Sequence, residues 1–209
     1  MPIVFAGLIV FLLLASCELW WRKQNVHDEL SRKFVHITVG SFVAFWPFFL
    51  SWDQIRLLSL AFVIVVLLSK RFKLFQAIHS VQRLTYGELF FALAVGGATL
   101  ITQDRYIYLA ALLMMSLADG LAAVVGVRYG GKQPYTVFGH NKSLIGSATF
   151  YVVSVAILLA VTQTGMIALA PLELAGLALA ATVIENIGVF GLDNLLVPML
   201  VAGGLTLLT

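Results

Sequence analysis

Three acidic residues in this sequence have the type and spacing expected of a divalent-cation site. Asp119 lies within an apolar run, while Glu185 and Asp193 flank a short polar link and Asn194 follows directly. Carboxylate and amide oxygens are the hard ligands that Mg²⁺ prefers. We therefore predict that these four side chains hold Mg²⁺. The simpler alternative is that Asn194 caps a helix and Asp193 is solvated.

A group of basic side chains has the chemistry of an anion site. Arg32, Lys33 and His36 stand where an apolar run begins. Residues three and four positions apart share one face of a helix, so two cations and an imidazole would point the same way. This spacing predicts contacts with phosphate oxygens. The alternative is that Arg32 and Lys33 extend to lipid headgroups while His36 makes a local hydrogen bond.

The link from Arg128 to Ser147 combines glycines and basic groups just before another apolar run. The free N–H groups at a helix start bind anions, and Lys142 adds a full positive charge. The residues of this link that we predict to bind phosphate are Arg128, Lys132, Asn141, Lys142, Ser143 and Ser147. The alternative is a solvated basic loop with Ser143 as a helix cap. A P-loop is excluded, because Asn141 rather than glycine precedes Lys142 and we expect no strand upstream.

The elements that must position these residues are strongly apolar. Of the 209 residues, 61% are hydrophobic and 11% are charged, with a mean hydropathy of +0.99, whereas about a quarter of residues are charged in soluble domains. We predict an all-α polytopic membrane protein with about eight transmembrane helices, forming a single domain over residues 1–209. The candidate spans are residues 3–19, 34–50, 55–69, 88–102, 106–127, 143–162, 166–183 and 194–208.

Asp119 and the small residues on its helical face have different predicted roles. Ala122, Ala123 and Gly126 share its helical face, and small residues at this spacing let another helix approach closely. We interpret these three as packing residues. A carboxylate within a membrane is costly unless it faces a cavity, a cation or a partner, so we assign Asp119 a functional role.

Lys and Arg lie almost entirely on one side of the predicted arrangement. All but two of the 13, Arg56 and Arg105, fall in the links after the first, third and fifth spans. Because Lys and Arg resist translocation, we expect the N-terminus and the C-terminus outside. The polar residues above would then face the cytoplasm, and we expect the membrane to be a prokaryotic plasma membrane.

Five short motifs, in order along the chain, resemble those of the CTP-dependent lipid alcohol kinases. They are Arg32-Lys33-x-x-His36, Tyr86-Gly87-Glu88, Ala118-Asp119-x-x-Ala122 with Gly126 and Gly130, Lys142-Ser143-x-x-Gly146-Ser147, and Glu185 followed by Asp193-Asn194-x-x-x-Pro198. The resemblance extends from about residue 30 to 200. That family includes the phytol, farnesol, dolichol and polyprenol kinases and is similar to the phosphatidate cytidylyltransferases.

The resemblance implies transfer of the γ-phosphoryl group of a nucleotide to a membrane isoprenoid alcohol. Mg²⁺ and CTP are the implied cofactors, and the nucleotide, the alcohol and the bilayer are the partners. The expected catalytic residues are Asp119, His36 and Lys142, with Asp119 or His36 taking the hydroxyl proton. Glu88 joins the residues expected to bind the nucleotide. We expect no nucleic-acid partner, and a homo-oligomer is left open.

Other functions fit parts of the sequence. A phosphatidate cytidylyltransferase shares the motifs, but Ile145 stands where those enzymes have Glu, and their longer acidic, glycine-rich stretch near the C-terminus is absent. A diacylglycerol kinase is a further enzyme alternative. A small transporter would also carry intramembrane acidic residues, although we find no internal repeat. The kinase hypothesis leaves Glu173 unexplained.

Overall fold

Helices make up most of the computed structural model, which describes residues 2–24, 29–72, 86–132 and 134–209. The α-helices in these ranges are α1 (Pro2–Gln24), α2 (Glu29–Ala44), α3 (Trp52–Phe72), α4 (Gly87–Ile101), α5 (Arg105–Leu113), α6 (Asp119–Tyr129), α7 (Leu144–Thr162), α8 (Pro171–Ile187) and α9 (Asp193–Leu208). A π-helical segment, Met114–Ala118, joins α5 to α6, and 3₁₀ turns occupy Trp46–Phe48 and Gly130–Lys132. The prediction of a mainly helical chain is confirmed.

Two helical segments among the described residues are long and apolar enough to cross a membrane. They are the continuous stretch Arg105–Tyr129, of 25 residues, and Leu144–Thr162, of 19 residues. Shorter apolar helices cover Pro2–Cys17, Gly87–Ile101 and Asp193–Leu208. The total of eight spans and the outside location of both termini remain predictions.

The link before α7 contains strands, so the expectation of no strand there is wrong. Strands β1 (Pro134–Val137) and β2 (His140–Ser143) pair antiparallel. Phe138 and Gly139 make the turn with φ values of 46° and 80°, a left-handed conformation that matches the twist of a two-residue hairpin. The all-α prediction therefore needs a small hairpin added. The P-loop is still absent, because Asn141 precedes Lys142.

The predicted span 166–183 begins too early. Helix α8 starts at Pro171, and proline suits the first helical position because its missing N–H would be unpaired there. The carboxylate of Glu173 accepts a hydrogen bond from Ala170 N at 2.8 Å. Glu173 therefore stabilises the start of α8, which accounts for the residue that the kinase hypothesis left unexplained.

Helix α2 packs closely on the segment that runs from α5 to α6, because glycines stand at the contact points. A Cβ at Gly40 would overlap the side chain of Ser116, and a Cβ at Gly120 would overlap that of Ile37. Most side chains in the central part of this segment are buried, and Tyr108 is fully buried. One face of α2 is thus held against the residues around the π-helical segment.

Two of the three residues of α6 that we predicted to pack, Ala122 and Gly126, lie against α7, and packing by Ala123 stays a prediction. A Cβ at Gly146 would lie 3.1 Å from Ala122 O, and a Cβ at Gly126 would lie 3.5 Å from Gly146 Cα. A Cβ at Gly130 would overlap the side chain of Ser143. This close approach brings the end of β2 and the start of α7 beside α6.

Candidate active site

The π-helical segment Met114–Ala118 leads directly into Asp119, the first residue of α6. Such segments occur often at functional sites because the extra residue changes which backbone groups are paired. Here the carbonyl of Met115 accepts a hydrogen bond from His36 Nε2 at 3.0 Å. Asp119 follows this segment and is buried. The carbonyl of Met115 and the carboxylate of Asp119 both lie beside α2.

Two residues of that α2 face contact Asp119. Lys33 Nζ donates to Asp119 Oδ2 at 2.6 Å, and His36 Nε2 lies 3.6 Å from the same oxygen. The two lie three positions apart on α2 and so share a face. Arg32, predicted as their neighbour in the anion site, is partly buried. The structure therefore brings Lys33 and His36 to the carboxylate that the sequence singled out.

A second lysine pairs with a second carboxylate. Lys142 Nζ, from β2, donates to Glu185 O at 3.0 Å and forms an ion pair with Glu185 Oε1 near the end of α8. Burial lowers the pKa of Lys142, but the charge of Glu185 and two further carboxylates raises the pKa more, so the result lies above the ordinary value. Lys142 is therefore held in its charged form.

Three carboxylates converge between these lysines. One oxygen from each of Asp119, Glu185 and Asp193 lies within 4.8 Å of the others. Asp119 and Glu185 are buried, Asp193 is partly buried, and Asp193 Oδ1 is a buried atom with no hydrogen-bond partner among the described residues. Oxygen donors at this spacing, one of them unsatisfied, fit the coordination that Mg²⁺ prefers.

The loop between α8 and α9 positions the third carboxylate. Phe190 and Gly191 adopt left-handed φ values of 57° and 87°, and Phe190 O accepts a hydrogen bond from Tyr86 N at 3.0 Å. Asn194 Nδ2 donates to Gly87 O at 3.0 Å. The amide nitrogen of Asn194 thus joins α9 to the start of α4, and its role as a metal ligand remains a prediction.

Gly188 allows this loop to turn back on itself. A Cβ at Gly188 would lie 2.7 Å from Asp193 N and 2.8 Å from Asp193 Cβ. We expect Gly188→Ala to displace Asp193 and to weaken Mg²⁺ binding about tenfold. This is the lower end of the loss of metal affinity that follows substitution of residues supporting a metal ligand. Isothermal titration calorimetry with Mg²⁺ measures this effect. Gly203→Ala is the matched control, since nothing lies within 4 Å of a Cβ there; equal affinities in both variants would contradict the prediction.

Three other residues predicted to bind the nucleotide, Arg128, Asn141 and Ser143, lie at the end of α6 and on β2. Arg128 is exposed at the end of α6, and Asn141 is exposed on β2. Ser143 Oγ accepts a hydrogen bond from Gly146 N at 3.1 Å, which makes it the cap of α7. Helix capping, the simpler alternative for Ser143, is therefore present in the structure.

Glu88 and Lys132 are the two remaining residues predicted to bind the nucleotide. Glu88 lies in the first turn of α4, on the same helix end that Asn194 contacts, and is partly buried. The side chain of Lys132 lies outside the part of the chain that the structure describes. Nucleotide binding by both remains a prediction.

Ser147 belongs to a polar cluster that the sequence analysis did not predict. Tyr135 OH lies 2.5 Å from Ser147 Oγ and donates to Asn186 Oδ1, which also accepts from Ser147 Oγ at 3.0 Å. Asn186 Nδ2 donates to Thr182 O at 2.8 Å. The cluster fixes the hairpin to α7 and α8. The position of Asn186 directly after Glu185 was the available signal, but the partner Tyr135 is distant in sequence.

Comparison with known proteins places the chain in a family. It is 33% identical over 192 residues to the phytol kinase of Synechocystis sp. (strain ATCC 27184 / PCC 6803 / Kazusa), and the alignment covers 88% of this chain and 81% of that protein. The chain belongs to the phytol kinase family. The predicted membership of a lipid alcohol kinase family is thereby confirmed, whereas CTP dependence remains a prediction.

Plant members of the phytol kinase family are similar to the chain to the same degree. The probable phytol kinase 2, chloroplastic, of Glycine max is 33% identical over 193 residues, with 85% of this chain and 64% of that protein covered. The probable phytol kinase, chloroplastic, of Triticum aestivum is 33% identical over 224 residues, with 94% and 72% covered. No family model and no solved structure matches the chain.

Proposed function

We propose that the protein transfers the γ-phosphoryl group of CTP to the hydroxyl of a membrane isoprenoid alcohol such as phytol. The observation that carries this proposal is the buried centre in which three carboxylates meet two lysines. The names of its relatives supply the class of reaction, phosphorylation of an alcohol. The centre supplies groups suited to holding a charged phosphate donor, namely Asp119, Glu185, Asp193, Lys33 and Lys142.

Phosphoryl transfer requires mainly positioning and neutralisation of charge from the protein. Mg²⁺, when bound, would supply positive charge to the triphosphate oxygens, and Asp119, Asp193 and Glu185 are the residues that would hold it. Three carboxylates beside two ammonium groups leave one negative charge without a cationic partner in this cluster. That excess supports a divalent cation.

The two lysines would orient the triphosphate. A lysine ammonium has three donors and no acceptor, so Lys33 and Lys142 can each keep a carboxylate partner and still donate to a phosphate oxygen. The N–H groups at the start of α7 adjoin Lys142 and add a partial positive charge. The nucleotide would therefore lie between α2 and the hairpin, with its phosphates over the carboxylates.

The hydrogen bond of His36 favours Asp119 as the group that takes the hydroxyl proton. Met115 O can only accept, so His36 Nε2 carries the hydrogen in their 3.0 Å contact. The ring nitrogen that lies 3.6 Å from Asp119 Oδ2 therefore has no lone pair for a substrate proton, and the lone pair of the neutral ring is on Nδ1. His36 then acts as a positioning residue. Its hydrogen bond to Met115 O holds the imidazole beside Asp119 Oδ2.

Replacing His36 separates these roles. We expect His36→Gln to keep kcat within about tenfold of wild type, because the glutamine Nε2–H can donate to Met115 O, whereas loss of a general base costs about 10²- to 10⁴-fold. His36→Ala, which lacks the donor, should lower kcat further than His36→Gln. Steady-state kinetics measure both; a drop of about a thousandfold or more in folded His36→Gln would assign the proton to His36 instead.

We place the reaction at the cytoplasmic face of a prokaryotic plasma membrane. The distribution of Lys and Arg supports this orientation. Large apolar side chains on the outer surfaces of the helices support contact with lipid, for example Leu100, Leu172 and Leu207. An alcohol dissolved in the bilayer would then reach the centre laterally, with its hydroxyl at the inner interface.

A matrix of donors and acceptors tests the proposal. Purified protein with Mg²⁺ is incubated with CTP, ATP, GTP or UTP and with phytol, geranylgeraniol, a long polyprenol or diacylglycerol, and products are detected by mass. We expect an isoprenoid monophosphate, formed fastest from CTP. Phosphorylation of diacylglycerol alone would identify a diacylglycerol kinase, and failure of every alcohol with every nucleotide would overturn the kinase proposal.

A further inference from the structure

An apolar cavity of about 220 Å³ lies among α1, α2, α3 and α4. Its walls are hydrocarbon, with Gly7, Val39, Val43, Leu58, Phe62 and Phe91 among the lining residues. Ser59 also borders the cavity, but its hydroxyl donates to Ala92 O at 2.7 Å. The cavity therefore suits an apolar ligand and not a nucleotide.

Phe91 connects this cavity to the candidate active site. Its ring lines the cavity and contacts the His36 ring edge-on, with centroids 5.4 Å apart. It also lies edge-on to Phe62, at 6.0 Å. On α2, His36, Val39 and Val43 follow at helical spacing and share one face. The face that brings His36 to Asp119 thus continues as a wall of the cavity.

The cavity also reaches the surface of the protein. Phe11 of α1 and Val65 of α3 line it, yet they are 55% and 49% exposed. The opening therefore lies between α1 and α3, on helices whose outer surfaces are apolar. A ligand dissolved in a bilayer would enter at this point without crossing a polar layer.

We propose that this cavity binds the hydrocarbon chain of the alcohol substrate, with the hydroxyl beside His36 and Asp119. The inference rests on the proposed function, because a kinase for such an alcohol needs an apolar site adjoining a polar centre. An isoprenoid alcohol matches both ends of the site, because the apolar cavity suits its hydrocarbon chain and the charged centre suits its hydroxyl. Val39 and Val43 line the cavity and lie roughly 6 Å apart along α2 at the helical rise per residue. His36, one turn before Val39, would contact the hydroxyl end, so the first part of the hydrocarbon chain would lie here.

Gly7 offers a way to fill the cavity. The nearest atom to a Cβ at Gly7 is Leu58 Cδ2 at 3.9 Å, an ordinary contact, and leucine is favoured over glycine within a helix. We expect Gly7→Leu to raise KM for the alcohol about tenfold, as for roughly two methylene groups withdrawn from an apolar site. The KM for CTP should be unchanged. Gly176→Leu on α8 is the matched control, since nothing lies within 4 Å of a Cβ there.

Photolabelling provides a second, independent measurement. An isoprenoid alcohol with a diazirine on its chain should label peptides of α1 and α3 in wild type, and less so in Gly7→Leu. Unchanged alcohol KM in Gly7→Leu, or labelling confined to other helices, would overturn the cavity proposal while phosphorylation by wild type still supported the kinase. If wild type phosphorylated no alcohol, the proposed function itself would fail, whatever the labelling.

Discussion

Asp119→Asn is expected to lower the rate of phosphoryl transfer about a thousandfold, comparable with the loss of a group aimed at the charge of a transition state. The change removes the charge of one of three converging carboxylates and the ion-pair partner of Lys33 at 2.6 Å, while the side-chain volume hardly changes. Steady-state kinetics with CTP, Mg²⁺ and phytol measure the effect. Raising the Mg²⁺ concentration should recover part of the rate if metal binding is the main loss.

The control for Asp119→Asn is the same substitution at an exposed aspartate. Asp53 is 90% exposed and pairs with Arg56 at 3.0 Å on α3, so Asp53→Asn should keep the wild-type rate. Removing one partner of a buried ion pair destabilises a protein, and thermal unfolding must therefore show that Asp119→Asn is folded under assay conditions. A folded Asp119→Asn enzyme at full rate would contradict the assignment.

Lys142→Met is expected to lower kcat/KM for the nucleotide about a hundredfold, at the lower end of the effect of removing one positioned donor. Lys142 is placed by two contacts with Glu185, one to its backbone carbonyl and one to its carboxylate. Methionine keeps much of the length of the side chain without the charge. Most of the loss should appear as a higher KM for CTP, with KM for the alcohol little changed.

Lys142→Arg is the companion variant for this test. It keeps the charge, but its planar guanidinium does not reproduce the compact ammonium, so its kcat/KM should lie between those of wild type and Lys142→Met. Equal KM for CTP in wild type and Lys142→Met would contradict phosphate binding by this residue. Because the charge of Glu185 raises the pKa of Lys142 above its ordinary value, Lys142 keeps its charge in neutral and mildly alkaline solution, and loss of that charge should not raise the wild-type KM for CTP between about pH 7 and 9.

The helices and the shared face of Lys33 and His36 were predictable because both depend on local sequence. Apolar runs mark the helices, and the spacing of Lys33 and His36 puts them on one face of α2. What could not be predicted was their partner, since the contact with Asp119 depends on how closely α2 approaches α6. That distance depends on Gly40 of α2, which lies against Ser116, and on Gly120 of α6, which lies against Ile37 of α2.

The features that escaped prediction depend on pairing between distant residues or on unusual backbone geometry. The hairpin requires left-handed φ at Phe138 as well as at Gly139, and a phenylalanine gives no turn signal of its own. The polar cluster joins Tyr135 to Asn186, 51 residues away. The π-helical segment Met114–Ala118 has no sequence signal that separates it from an ordinary apolar helix.

Labelled CTP tests the proposed reaction most directly. The protein, reconstituted with Mg²⁺ and phytol in vesicles, is given CTP that carries a radioactive phosphorus at either the α or the γ position, and the lipid and aqueous products are separated. A kinase puts the γ label on the lipid and releases CDP, and this is the result we expect. An α label retained on the lipid, with release of pyrophosphate, would instead identify a cytidylyltransferase and contradict the proposed function.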